Sequence, residues 1–92
     1  MTLNRLRKQI DRIDRQLLSL LNRRAQMAVR IGRLKKKHGL AVFDGRREGR
    51  MMRQLTRTHR GPLPRAAVRR IFSEIVRESR SIQLLTPKKS AP

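Results

Sequence analysis

The residues that could do chemistry are polar side chains at positions where the helical spacing calls for apolar ones. Positions 3, 10, 17, 24 and 31 form one heptad column, which holds four aliphatic residues and Arg24. An unpaired guanidinium inside an apolar interface is costly. Lys35 follows three helical turns later, about 16 Å along nearly the same face, so both long side chains can reach one space between them. The pair predicts a site for a small anion.

Neutral hydrogen-bonding residues interrupt a second apolar stripe. The stripe at positions 68, 72 and 75 continues as Ser79 and Gln83, and Glu48 shares a helical face with apolar neighbours just after Asp44. With the basic pair, these residues bring polar groups from three segments but no nucleophile–base pair and no set of metal ligands. They favour binding of a polyanion over covalent or hydrolytic chemistry, and we expect neither a metal nor a cofactor.

Each of these positions also has a structural explanation. Arg and Lys side chains can run along apolar surface to solvent, a buried Ser or Gln can satisfy a neighbouring carbonyl, and Asp44 can be only a helix cap. A helical interaction module would explain the heptads. It would leave Arg24, Ser79 and Gln83 without a reason, so the set taken together favours a binding site.

Three helices must position these residues, which makes the chain all-α. Residues 3 to 37 contain no Pro and follow the heptad, with Thr2 as the predicted N-cap and a stop at His38 and Gly39. This helix would be about 50 Å long, more than a small domain can cover, so half of it must pack on something else.

The two later helices are shorter, and together the three form one predicted domain over residues 1–92. The second helix runs from residue 45 to about 59 behind the Asp44 cap, although Gly45 weakens its start. The third, of medium length, runs from 64 to about 85, with Pro64 suited to the first helical position. Residues 86–92 are predicted to be a disordered tail.

Composition limits the classes of protein to which the chain can belong. The 92 residues carry 25 Lys+Arg against 6 Asp+Glu, a formal charge of +19, and 37% are hydrophobic. So short a chain buries little core alone, and we expect an oligomer. The absence of Cys excludes disulfides and thiolate metal sites. The first 30 residues hold no uninterrupted apolar stretch, so we expect no signal peptide, no membrane span and a cytoplasmic location.

The charge itself suggests a nucleic-acid-binding helical dimer as an alternative. A run of three lysines begins at Lys35, but aromatic residues make up 2% of the chain and Trp and Tyr are absent, so base stacking is nearly unavailable. The basic residues also spread over all three predicted helices. We therefore expect nucleic acid to bind only nonspecifically, at low salt.

From about residue 3 to 85 the chain resembles the all-helical, type II (AroQ-class) chorismate mutases in their monofunctional form. No single matching string is specific, but eight polar positions share the spacing of that family. The matching strings are Leu6-Arg7, Ile10-Asp11-Arg12-Ile13-Asp14, Leu20-Leu21-Asn22-Arg23-Arg24, Ile31-Gly32-Arg33-Leu34-Lys35, Val42-Phe43-Asp44 with Arg47-Glu48, and Ile71-Phe72 leading to Ser79 and Gln83.

This resemblance implies an intertwined helical homodimer that converts chorismate to prephenate, a Claisen rearrangement on the route to Phe and Tyr. It assigns substrate carboxylates to Arg7 and Arg24, assisted by Arg47 and Ser79, the ether oxygen to Lys35 and Gln83, and the ring hydroxyl to Glu48 and Asp44. Arg7 would come from the partner subunit. One straight helix separates Arg7 from Lys35 by about 42 Å, so both serve one site only if two chains exchange halves.

Two further expectations follow from the resemblance. An isochorismate pyruvate lyase of the same fold is the nearest rival, but the lyases lack the carboxylates that match Glu48 and Asp44. Gln83 donates a hydrogen bond without titrating, so activity should persist above about pH 6, where an ordinary carboxyl is ionised. Association with another enzyme of the pathway is left open.

Overall fold

A computed structural model describes residues 2–86, and three helices account for most of them. Helix α1 spans Leu3–Lys37, α2 spans Gly45–Thr58 and α3 spans Arg65–Leu85. No strand occurs within residues 2–86, so the predicted all-α class of one long, one short and one medium helix is confirmed. Helix α2 ends one residue earlier than expected. Pro64 is the N-cap of α3 and not its first residue, because its ψ of 149° is extended.

The ends of α1 lie where local sequence chemistry puts them. The Thr2 hydroxyl accepts a hydrogen bond from the backbone N–H of Arg5 at 3.2 Å, which satisfies one of the free donors of the first turn. At the other end His38 is the C-cap, and Gly39 adopts the left-handed φ of 67° that ends many helices. The chain then turns back toward α2.

Helix α3 packs against both other helices, whereas α1 and α2 do not pack against each other within the described residues. The buried apolar residues are few, namely Ala28, Val68 and Val76. Gly32 lets α1 approach α3 closely, since a Cβ atom at this position would lie 2.9 Å from the Cα of Gln83. The small core is therefore made of residues of α1 and α3.

The N-terminal half of α1 has no such packing. Every residue from 3 to 20 is exposed, and Ile10 and Leu17 retain 56% and 51% of their accessible surface. The chain exposes 7965 Å² in all, against about 5500 Å² expected for a compact monomer of this mass. The heptad face is thus left without a partner in a single chain.

The segment after α3 differs from the predicted tail at its first residue. Thr86 is buried, its hydroxyl donates to the carbonyl of Ile82 at 2.5 Å, and Lys36 donates to the carbonyls of Leu84 and Thr86. These bonds join the end of α3 to the end of α1, so the expectation of disorder is wrong at residue 86. The rest of the predicted tail, 87–92, lies outside the described residues.

The length and polarity of the helices decide whether any of them could span a membrane. Among those that the structure describes, none is both long and apolar enough to cross a bilayer. The cytoplasmic location stays a prediction.

Candidate active site

A cavity of about 200 Å³ lies where the three helices meet the loop between α1 and α2. Seven of the eight residues predicted for the site line it, although they come from segments up to 59 positions apart. Its polar lining consists of Arg24, Lys35, Asp44, Arg47, Glu48, Ser79, Arg80 and Gln83, and its apolar lining of Met27, Ala28, Ile31, Val42, Met51 and Val76. Four cations against two carboxylates leave this cavity with net positive charge.

Lys35 and Gln83 form a fixed pair on the cavity wall. The Nζ atom of Lys35 donates to the carbonyl oxygen of Val42 at 2.7 Å and to Oε1 of Gln83 at 3.0 Å. Gln83 is 8% exposed, and its accepting oxygen faces the lysine, so its NH₂ group is left to donate elsewhere. Because Lys35 has three N–H donors, one also remains free for a ligand.

Arg24 is held at the wall by Ser79. Its Nη1 atom donates to the Ser79 hydroxyl, which in turn donates to the carbonyl of Ile75 at 3.0 Å. Both side chains are half-buried. The charged residue in the heptad column is therefore hydrogen-bonded through one nitrogen, and the rest of its donor fork is available for an anion.

Glu48 is held by a residue that the sequence did not single out. Arg80 donates from Nε to Oε2 of Glu48 at 3.0 Å and from Nη2 to Oε1. These hydrogen bonds lower the pKa of Glu48, while partial burial of the carboxyl opposes them. The carboxylate is consequently ionised throughout the neutral range.

Asp44 is the N-cap of α2, as the sequence predicts, and it also lines the cavity. Its Oδ1 accepts from the backbone N–H of Arg47 at 3.1 Å, as an N-cap does. The same turn places the Arg47 side chain on the cavity lining, where it is exposed. The cap thus fixes the start of the helix that presents Arg47 and Glu48.

Arg7 is the predicted site residue that the single chain does not bring to the cavity. It lies on the exposed N-terminal half of α1, far along the helix from Lys35. Its expected role therefore stays a prediction.

The sequence patterns did not predict a role in this region for two residues, Arg80 and Gly32. Arg80 does not stand out in the sequence, because Arg is common throughout the chain. Its contact with Glu48 depends on how closely α2 and α3 approach. Gly32 did carry a signal, as the single glycine of an otherwise regular helix, and its contact with Gln83 explains it.

Fold and cavity together define the class of this protein: an all-helical protein with a polar cavity of net positive charge between its helices. A family model described as chorismate mutase type II matches residues 6–84. The chain belongs to this family of isomerases, which confirms the family that the sequence resembled.

Solved structures agree with this assignment. A chorismate mutase from Thermus thermophilus (Form II) superposes with a TM-score of 0.88 at 36% identity, covering 90% of this chain and 94% of that one. Form I from the same organism gives a TM-score of 0.81 at 39% identity and covers 84% of this chain and 96% of that one.

A curated relative is the bifunctional chorismate mutase/prephenate dehydratase of Aquifex aeolicus, 38% identical over 85 residues. That match covers 88% of this chain and 24% of the relative. The Neisseria gonorrhoeae protein of the same name is 40% identical over 77 residues, with 84% and 21% covered. This chain therefore spans about a quarter of the length of the curated relatives that it matches.

Proposed function

We propose that this chain catalyses the intramolecular rearrangement of chorismate to prephenate in the cavity between its helices. The observation that carries the proposal is the convergence of seven polar residues on one cavity with net positive charge. Six of them were expected from their spacing and Arg47 from the family resemblance. A pericyclic reaction needs no nucleophile or proton carrier. Catalysis then consists of holding the dianion in its compact conformer and stabilising charge as the C–O bond breaks.

The two substrate carboxylates bind the basic side of the cavity. Arg24 keeps a free part of its guanidinium fork beside Ser79, and Arg47 is exposed at the rim. Planar guanidinium groups match carboxylates by paired hydrogen bonds. Arg7 of a second subunit completes this set.

The breaking bond lies against Lys35 and Gln83. Negative charge grows on the ether oxygen in the transition state, and an ammonium and an amide N–H placed beforehand stabilise it without reorganising. The support is the hydrogen bond from Lys35 to Oε1 of Gln83, which occupies the amide oxygen and leaves the NH₂ group free to donate to the ether oxygen.

Glu48 and the Asp44 turn hold the ring hydroxyl at the opposite side. An ionised carboxylate is a strong acceptor for a hydroxyl. Glu48 is kept ionised by its partner on α3, and it lines the cavity together with Asp44.

We further infer that the working molecule is a homodimer in which two α1 helices cover each other's exposed face. The excess accessible surface of a single chain, about 2400 Å², is of the size that permanent dimers bury. Exchange of halves would bring Arg7 of one subunit to the cavity of the other.

The decisive experiment follows the ultraviolet absorbance of chorismate after addition of purified protein and identifies the product. Arg24→Ala and Lys35→Ala should each lower kcat by on the order of 10²–10³-fold, the loss typical of removing one preorganised donor. Arg23→Ala and Lys37→Ala are matched controls, because both residues are exposed neighbours outside the cavity.

An inactive wild-type protein, or full activity in both cavity variants, would refute the assignment. Release of pyruvate from isochorismate at a higher rate than loss of chorismate would instead identify the lyase.

A further inference from the structure

We propose that Arg80 is a positioning residue that holds the carboxylate of Glu48 in the orientation needed to accept the hydroxyl of the substrate. This inference rests on the function proposed above and adds to it a residue and a role. Arg80 lines the cavity itself, yet its donors face Glu48, so it acts through that carboxylate.

The contact between the two side chains is a complete fork. Nε of Arg80 donates to Oε2 of Glu48 at 3.0 Å, and Nη2 donates to Oε1, so each carboxylate oxygen has its own donor. The pair joins α2 to α3. The other ion pair among residues 2–86, Arg77 with Glu74, lies within α3 and is far more exposed.

The flat face of the same guanidinium rests on an aromatic ring. The Cζ atom of Arg80 lies 4.6 Å from the ring centroid of Phe43, the residue just before Asp44. The guanidinium is therefore fixed on its edge by the carboxylate and on its face by the loop. Few rotamers of Arg80 satisfy both contacts, so the direction of the carboxylate is fixed as well.

The two hydrogen bonds from Arg80 leave the carboxylate of Glu48 able to accept further hydrogen bonds. A carboxylate has about four lone-pair sites, and the two bonds from Arg80 occupy two of them. The remaining sites can accept a ligand hydroxyl from the cavity without breaking the pair. Arg80 therefore fixes Glu48 and does not compete with the substrate for it.

Other charged groups near Glu48 also affect the pKa of its carboxyl. Lys35 on α1 favours its ionised form and Asp44 opposes it, as does partial burial. The charged residues that share a cavity lining with Glu48 are Arg24, Lys35, Asp44, Arg47, Glu74, Arg77 and Arg80. Among these, Arg80 alone forms a hydrogen bond with the carboxylate.

The test compares Arg80→Met with the wild type. We expect kcat/KM for chorismate to fall about tenfold, the effect of losing a charge-assisted hydrogen bond. The acid limb of the kcat/KM profile should move to higher pH, because the pKa of Glu48 rises when its donor is removed. Arg77→Met is the matched control, since it breaks an arginine–glutamate pair one turn away on α3.

Arg80→Lys separates charge from geometry. The ammonium keeps a positive charge near Glu48 but cannot form the two-point fork. We expect its acid limb to stay near that of the wild type while part of the loss in kcat/KM remains. A thermal midpoint for each variant, at equal protein concentration, reports any loss of fold.

A second readout does not depend on activity. The chain has three glutamates, so carboxyl ¹³C signals of labelled Glu can be followed through a pH titration. Only the Glu48 signal should titrate at higher pH in Arg80→Met, and in Arg77→Met it should not move.

The outcomes are distinct. If the wild type does not consume chorismate, the proposed function fails, and the titration still decides whether Arg80 controls Glu48. If the wild type is active and Arg80→Met matches it in rate and acid limb, Arg80 has no positioning role. A rise in kcat/KM would also overturn the inference, since it would mean that Arg80 competes with substrate.

Discussion

At the scale of single residues, Gln83 decides whether the proposed activity persists at neutral pH. Its amide donates without titrating, so the wild type should stay active above about pH 6. In Gln83→Glu the side chain can donate only when protonated. We expect kcat of this variant to be low at neutral pH and to rise as the pH falls, whereas the wild type shows no such dependence.

The measurement is kcat against pH from about 4.5 to 8, across the range in which an ordinary carboxyl loses its proton. Gln54→Glu is a suitable control, because Gln54 is an exposed residue of α2 outside the cavity. A Gln83→Glu enzyme with a flat profile would show that this side chain does not donate to the reacting oxygen.

The sequence predicts which residues line the cavity where a side chain breaks an apolar pattern. Arg24, Ser79 and Gln83 interrupt apolar stripes, and this contrast marks them without any structure. Arg80 breaks no pattern, because one more arginine in an arginine-rich helix is unremarkable. Its partners are fixed only when α3, α2 and the Phe43 loop come together, and a sequence pattern does not encode that approach.

At the scale of helices, the crossing of α1 and α3 depends on Gly32. Alanine normally stabilises a helix interior over glycine by about 1 kcal/mol. At this position the added Cβ would meet the backbone of Gln83 at 2.9 Å and force the helices apart. We expect Gly32→Ala to lower both stability and kcat, since Gln83 and Lys35 would separate.

Gly49→Ala provides the matched control. Gly49 is also helical, but a Cβ there would meet only the flexible end of Arg53 at 3.3 Å. This variant should gain about 0.5–1 kcal/mol. Urea unfolding at equal protein concentration measures both, and a Gly32→Ala protein as stable and active as Gly49→Ala would contradict the close-approach argument.

Helix bounds were predictable to within one residue because caps and breakers act locally. Thr2, Asp44 and Gly39 each do in the structure what their residue types favour. Thr86 was not predictable in the same way. It is ordered through Lys36, a residue 50 positions earlier, and such a contact has no local signature.

At the scale of the whole molecule, the proposed exchange of halves can be tested by mixing two inactive proteins. Arg7→Ala and Lys35→Ala disable one site from opposite subunits. In a one-to-one mixture about half of the dimers are mixed, and each carries one intact site. We expect about a quarter of wild-type activity to return after the two proteins are unfolded and refolded together.

The control mixes Lys35→Ala with Arg24→Ala, which both act within one subunit and should not complement each other. Return of activity in that control, or its absence in the first mixture, would argue against a site shared between chains. Sedimentation of the wild type should give twice the mass of the 10.8 kDa chain.

Part of the net charge of +19 is clustered at a second place on the molecule, outside the cavity. A groove between α2 and α3 is lined by five arginines and no carboxylate, namely Arg50, Arg53, Arg57, Arg65 and Arg69. Nonspecific phosphate binding at low salt stays a prediction, and this groove is where it would be strongest.

The bare first half of α1 also bears on how the molecule folds. Every residue from 3 to 20 is exposed in a single chain, and most helical stability in proteins comes from packing of an apolar face. The C-terminal half of α1 can collapse on α3 within one chain, which is a first-order event. In the proposed homodimer, completion of α1 requires an encounter between chains, so refolding should contain a phase whose rate rises with protein concentration.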